Sequence, residues 1–263
     1  SRSATRAREC PSRTLRGMPE GYDRVTAVRH LCGADPLLGA HILATGPCTL
    51  RPAPDAGPHT LFDRLASSIL SQQLPVKAAA TIAGRLRERA GAGGLGTPVG
   101  AAGPGAARPP HRVLDPDRVS ALTDEELRGC GISRPKVAAL RDLADAVRSG
   151  RIPTLEVLRG YDDDDVVDAL TEVRGIGRWT AEMQLIFLLD RPDVFPLADV
   201  GIRRGFERVL GPEPGLDPEA SLDPRATTSR MLEHSQVWAP YRSVASWYLW
   251  RAVDQTGQSV PPA

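Results

Sequence analysis

Thr171-Glu172-Val173-Arg174-Gly175-Ile176-Gly177-Arg178-Trp179-Thr180-Ala181-Glu182-Met183 decides the fold, together with Pro196-Leu197-Ala198-Asp199-Val200-Gly201-Ile202-Arg203-Arg204-Gly205 further on. Upstream of the first glycine, Val166, Val167, Leu170 and Val173 recur at helical spacing. Downstream, Ala181, Leu185, Leu188 and Leu189 do the same. Gly175-Ile176-Gly177 is therefore a tight turn between two helices, and glycine permits the positive φ and close backbone approach such a turn needs. The first N–H groups of the second helix have no partner within it, and free N–H groups at a helix start bind phosphate. A packing turn is the plainer alternative, and the turn alone does not choose between them.

Working outward, Leu61-Phe62-Asp63-Arg64-Leu65 and Ser67-Ser68-Ile69-Leu70-Ser71-Gln72-Gln73 form an amphipathic helix ending in polar residues, with Thr60 as its cap. Pro75 then starts another helix with Val76, Ala79, Ala80, Ala83 and Leu86 inside. Tyr22, Val25, Val28 and Leu31 mark a first helix. Asp35-Pro36 opens a second that Gly46 stops, and Asp115-Pro116 opens a short one. Thr123-Asp124-Glu125-Glu126 fits a capping box, with Gly131 after it. Ser133 caps a helix through Val137, Leu140, Leu143 and Val147 that ends at Gly150. Further helices are expected at 178–189, 200–210, 225–234 and 241–254. No alternating run argues for a strand, so the fold class is all-α. Asp162 to Asp165 place four carboxylates at a helix start, where they complement the helix dipole rather than converge on a metal.

The chain has 263 residues and a formal net charge of +1, so overall charge does not point to nucleic acid. Residues 1–20 are locally basic and lack periodicity, and residues 256–263 form a second tail. Residues 91–110 are almost entirely Gly, Ala and Pro, a composition that cannot bury enough apolar surface to order itself. Cys10, Cys32, Cys48 and Cys130 have no Cys-x-x-Cys spacing, which suggests neither zinc nor a disulfide framework. The expected protein is reduced, cytoplasmic and monomeric, with no membrane span.

The order of hairpin, Pro-containing loop and Asp199 resembles the helix–hairpin–helix DNA glycosylases. Ile132-Ser133-Arg134-Pro135-Lys136, the hairpin with Trp179, and Pro240-Tyr241-Arg242-Ser243 through Trp250 look like the 3-methyladenine DNA glycosylase II (AlkA-type) branch. The match covers most of residues 24–253. With only about sixty residues before the helical core, it resembles the short members without an N-terminal β domain. The resemblance implies two helical lobes flanking a cleft, one from 21–60 plus 195–255 and the other from 61–194. It implies a nucleoid-associated enzyme acting on double-stranded DNA with a damaged base.

The resemblance makes Asp199 the catalytic carboxylate, beside its plain reading as the N-cap of the helix at 200. Such a group stabilises the oxocarbenium-like sugar formed as the glycosidic bond breaks. Trp179 stands where branches that also cut the backbone carry a Schiff-base lysine, so the resemblance implies a monofunctional enzyme. Trp179, Tyr241, Met183 and Gln72 are the expected base pocket. An aromatic face over a cationic alkylated purine contributes roughly 0.5–2 kcal/mol. Trp238, Trp247 and Trp250 read as core. Gln73 and Leu74 are the expected plug for the gap a flipped base leaves. Gly175, Gly177, Arg178, Thr180, Ser133, Arg134, Lys136 and Arg203 are the expected contacts to the DNA backbone. No metal is required. The family often holds a monovalent cation at the hairpin carbonyls, which this sequence leaves open. No cysteine follows Cys130, so no C-terminal iron–sulfur cluster is expected. Two alternatives stay open: a non-catalytic helix–hairpin–helix DNA-binding module, and a glycosylase for another lesion such as hypoxanthine or an oxidised purine.

Overall fold

A computed structural model describes residues 22–53, 60–91, 113–211 and 224–254. Every regular element among them is helical. In chain order they are α1 (Arg24–Ala34), α2 (Pro36–Thr45), α3 (Thr60–Ser71), α4 (Val76–Gly91), α5 (Pro116–Ala121), α6 (Asp124–Gly129), α7 (Arg134–Arg148), α8 (Leu155–Arg159), α9 (Asp163–Thr171), α10 (Arg178–Phe187), α11 (Val200–Leu210), α12 (Pro224–His234) and α13 (Arg242–Asp254). A 3-10 turn, Ser235–Trp238, follows α12. The basic tail, most of the Gly/Ala/Pro-rich stretch, most of the Pro/Asp-rich stretch after Gly211 and the last residues lie outside the described residues.

Local chemistry sets the helix ends. Asp35 accepts the N–H groups of Leu37 and Leu38 at the start of α2, and Thr123 with Glu126 completes the capping box of α6. Gly131 and Gly150 take positive φ after α6 and α7, a conformation open to glycine at no steric cost. Three details differ from the sequence expectation. Val25 and Val76 are 65% and 54% exposed, because α1 turns Ala27 and Leu31 inward and α4 turns Ala79, Ala83, Leu86 and Ala90 inward. Ser133 occupies the N-cap of α7 but makes no side-chain cap bond. α8 was not anticipated: Thr154 caps five residues, too short for a periodicity signal.

Two sets of packing position the site. α3 packs on α4 and α7, α7 also packs on α5, and α10 packs on α9. α13 packs on α1, α2 and α11. Asp35 ties the N-terminal helices to the C-terminal ones, since its Oδ2 receives Trp238 Nε1 and His234 Nε2, both at 2.8 Å. Burial pushes the Asp35 carboxyl up, but the bonds from His234, Leu38 and Trp238 outweigh it and hold the group below the usual range.

The contact between α11 and α13 rests on a glycine. A Cβ at Gly205 would sit 2.7 Å from the carbonyl carbon of Leu249 and 3.0 Å from its Cα, and a helix backbone cannot move aside as a flexible side chain would. Gly205→Ala is therefore expected to destabilise the protein by about 3 kcal/mol, read from the midpoint of urea unfolding. A midpoint equal to wild type would show that α13 does not press on α11 at this position.

Candidate active site

The hairpin comes first. Gly175 has φ +82°, and a Cβ there would lie 3.1 Å from Ala139 Cβ on α7, so glycine is required by conformation and by space. Gly177 is the N-cap of α10 and has no side chain to spend on capping. The N–H groups of the first turn of α10 are left for an outside acceptor.

Asp199 is the N-cap of α11 and is only 6% exposed. Its Oδ1 accepts the N–H of Ile202 at 2.8 Å and Trp250 Nε1 at 3.0 Å. Its Oδ2 accepts Trp179 Nε1 at 2.7 Å. The carboxylate is thus fixed from α10, α11 and α13 together. Two bonds fill Oδ1, whereas among the described residues Oδ2 accepts one and keeps a lone pair. A Cβ at Gly201 would lie 3.0 Å from Trp250 Cδ1 and 3.1 Å from Asp199 Oδ1, so Gly201 makes the room in which the indole reaches the carboxylate. Trp250 also stacks on Phe187, ring centroids 5.6 Å apart.

The other expected residues fall into distinct places. Trp179 and Met183 are half-buried and share a face of α10. Tyr241 is half-buried, and its ring meets Tyr22 at 6.2 Å and His30 at 5.3 Å rather than Trp179. Gln73 is exposed with φ +56°, and Leu74 is 37% exposed. Ser133 and Arg134 are exposed at the start of α7.

Several residues have tasks other than those expected. Gln72 donates one N–H of its side-chain amide to the Gly175 carbonyl at 2.8 Å, which ties it to the hairpin. Lys136, expected on phosphate, points inward and donates to the carbonyls of Leu70 and Gln72, both at 2.7 Å. Thr180 is 4% exposed, so only its backbone N–H can serve DNA. Arg178 pairs with Glu182 at 3.0 Å and approaches Asp164 at 3.6 Å. Arg203 is half-buried, with its Nε–H lacking a partner among the described residues.

The sequence did not reveal Trp250 as a partner of Asp199, nor Gly201 as the space for it. Their only sequence signal is the Gly201-x-x-x-Gly205 spacing, which marks one helix face as open to close approach. Buried Glu182 was also missed. Burial pushes its carboxyl up, Arg178 pulls it back, and the charge of Asp199 raises it again. Glu182 lines an open cavity of about 530 Å³ with Arg178, Leu185, Phe195, Leu197 and Arg242. Neither Asp199 nor Trp179 lines that cavity.

Residues 66–222 match the HhH-GPD superfamily of base excision DNA repair proteins. The chain belongs to that family. It is 32% identical to the DNA-3-methyladenine glycosylase of Saccharomyces cerevisiae, over 93% of this chain and 87% of that protein. A crystal structure of a DNA-3-methyladenine glycosidase from Bacillus halodurans superposes with a TM-score of 0.69 at 31% identity, covering 89% of this chain and 91% of the other. Schizosaccharomyces pombe 3-methyladenine DNA glycosylase (Mag1), solved in complex with abasic DNA, gives 0.64 at 30% identity, covering 86% and 95%.

Trp250→Phe tests the carboxylate's support. Phenylalanine keeps the stack on Phe187 and removes one N–H donor to a charged acceptor, an interaction of about 2 kcal/mol. The expected result is a fall of at least about tenfold in single-turnover base release, with secondary structure retained by circular dichroism. Unchanged release would show that the Trp250 bond does not orient Asp199 for chemistry.

Proposed function

We infer that this protein is a monofunctional DNA glycosylase that hydrolyses the N-glycosidic bond of alkylated purines, of the 3-methyladenine type, in duplex DNA. The observation that carries this reading is the buried Asp199 carboxylate, held by two indole N–H groups and one backbone N–H, beside an uncapped hairpin helix in a member of the HhH-GPD family. The relatives named as 3-methyladenine glycosylases support the substrate class.

In this reading the hairpin's N–H groups hold a phosphate, and such contacts position the duplex without reading its sequence. The damaged nucleotide swings into a cleft between the helices of 61–194 and those of 21–60 with 195–255. Gln73 and Leu74 fill the gap. The C1′–N bond breaks with its electron pair leaving on the base. A cationic alkylated purine departs neutral, which is why it leaves readily. Positive charge develops on the sugar beside the free lone pair of Asp199 Oδ2, where a buried carboxylate acts more strongly than in water. Water then adds its oxygen to C1′ and passes its proton to Asp199 Oδ2, which returns it to solvent, leaving free base and an abasic sugar.

The chain has two lysines, Lys77 and Lys136. Trp179 supplies no amine, and two carbonyls already occupy the ammonium of Lys136. No Schiff base with the sugar is expected, and the DNA strand stays intact.

Three measurements test this. Duplexes each carrying one lesion should release alkylated purines as free base; release of hypoxanthine or 8-oxoguanine alone would move the assignment to another lesion class. Asp199→Asn should lower excision at least about 100-fold while DNA affinity stays within a few-fold. Its amide also sets an N–H₂ against one of the three N–H donors. Near-normal excision by folded Asp199→Asn would remove the carboxylate from the mechanism. Borohydride should trap no covalent adduct with wild type, and an adduct lost in Lys136→Ala or Lys77→Ala would overturn the monofunctional assignment.

A further inference from the structure

The turn between α3 and α4 is held from two directions. α3 ends at Ser71, and its last carbonyls have no partner inside the helix. The Lys136 ammonium, reaching across from the first turn of α7, takes the carbonyls of Leu70 and Gln72 at 2.7 Å each. A cation at a helix C-terminus also complements the dipole. On the other side, Gln72 Nε2 donates to the Gly175 carbonyl of the hairpin at 2.8 Å. Directly after these anchors, Gln73 has φ +56°. A glycine would adopt that φ freely, so a side chain sits here against the backbone's preference, in a shape its surroundings must maintain. Gln73 and Leu74 project from this short, held segment, both exposed.

We propose that Lys136 and Gln72 are positioning residues that hold the α3–α4 turn in the shape from which Gln73 and Leu74 enter the duplex, and that Gln72 joins this turn to the DNA-binding hairpin. The proposal rests on the reading that Gln73 and Leu74 fill the gap left by the flipped base. Neither Lys136 nor Gln72 needs to touch DNA. A turn held rigidly before binding loses no freedom when it inserts, so the work of opening the helix falls on preformed structure. Because Gln72 is bonded to a hairpin carbonyl, a phosphate bound at the hairpin and a side chain inserted in the stack are set at one fixed separation.

The step affected is base flipping, so the effect must depend on how tightly the lesion is paired. The test compares single-turnover excision of one alkylated purine placed opposite its normal partner or opposite an abasic gap, where flipping costs less. Lys136→Met, which removes two hydrogen bonds from a charged donor, and Gln72→Ala, which removes one to a fixed carbonyl, should each slow excision of the paired lesion by at least about tenfold. At the gap they should come within about threefold of wild type, a small remainder of that hydrogen-bond effect. Lys136→Arg, which can still donate to two carbonyls, should recover most of the paired rate.

An equal loss on both substrates, or no loss on either, would overturn the proposal. If Lys136→Met does not fold, Gln72→Ala decides by the same comparison. Gln73→Gly and Leu74→Ala are run alongside. If they respond to pairing while Lys136→Met and Gln72→Ala do not, the plug reading stands and the positioning role is wrong. If the plug variants are indifferent to pairing, the plug reading fails and this proposal fails with it.

Discussion

One carboxylate joins three helices. Asp199 takes a backbone N–H from its own helix α11, an indole N–H from α10 and another from α13. None of these donors carries a charge. Neutral donors fix the oxygens in place without cancelling the negative field, whereas an arginine in the same role would cancel much of it. A group meant to stabilise a transient cation needs both properties, a fixed position and an unspent charge. The close approach that brings Trp250 in range demands Gly201 and Gly205 on the facing helix. The placement of the Asp199 carboxylate and the packing of α11 on α13 are therefore one arrangement, and a change to either alters both.

Asp35 shows the same local device with a different result. It too is a buried N-cap, accepting two backbone N–H groups and an indole N–H, here from Trp238. His234 adds a titratable donor on its Oδ2, the oxygen that in Asp199 stays half open. Both oxygens of Asp35 are filled, and it serves to hold α2 against the C-terminal helices. An N-cap Asp beside a tryptophan is thus common structural chemistry. What separates Asp199 is its free lone pair and its place opposite the start of the hairpin helix.

This contrast explains what was legible in the sequence. Caps and stops are local, so Asp35-Pro36, Asp115-Pro116, Thr123 with Glu126, Gly46 and Gly211 could be read directly, and the structure places helix ends there. Periodicity shows that a helix has an apolar side but not how a neighbour meets it, which is why Val25 and Val76 were put inside and are outside. Pairings between distant residues leave no local trace. Trp250 meets Asp199 across 51 positions, and Lys136 meets Leu70 across 66. Resemblance could align Lys136 with a DNA-facing helix start, but only the fold shows its ammonium turned inward.

The fate of the cations bears on how such a protein holds DNA. Among the residues expected on phosphate, Lys136 is committed to carbonyls and the Thr180 side chain is buried, while Arg178 pairs with Glu182 and keeps its side chain largely exposed. Elsewhere Arg191 serves the carbonyls around α8 and Asp163, and Arg242 holds Asp193. These arginines thus organise the protein itself. At the hairpin the main chain offers a glycine N-cap and the N–H groups of the first turn of α10, groups of a kind that bind anions without a net charge. A contact of that kind binds a phosphate at one fixed distance from the helix it belongs to. Since the same helix carries Trp179, which holds Asp199, the N–H groups at the hairpin are registered against that carboxylate by a single rigid element.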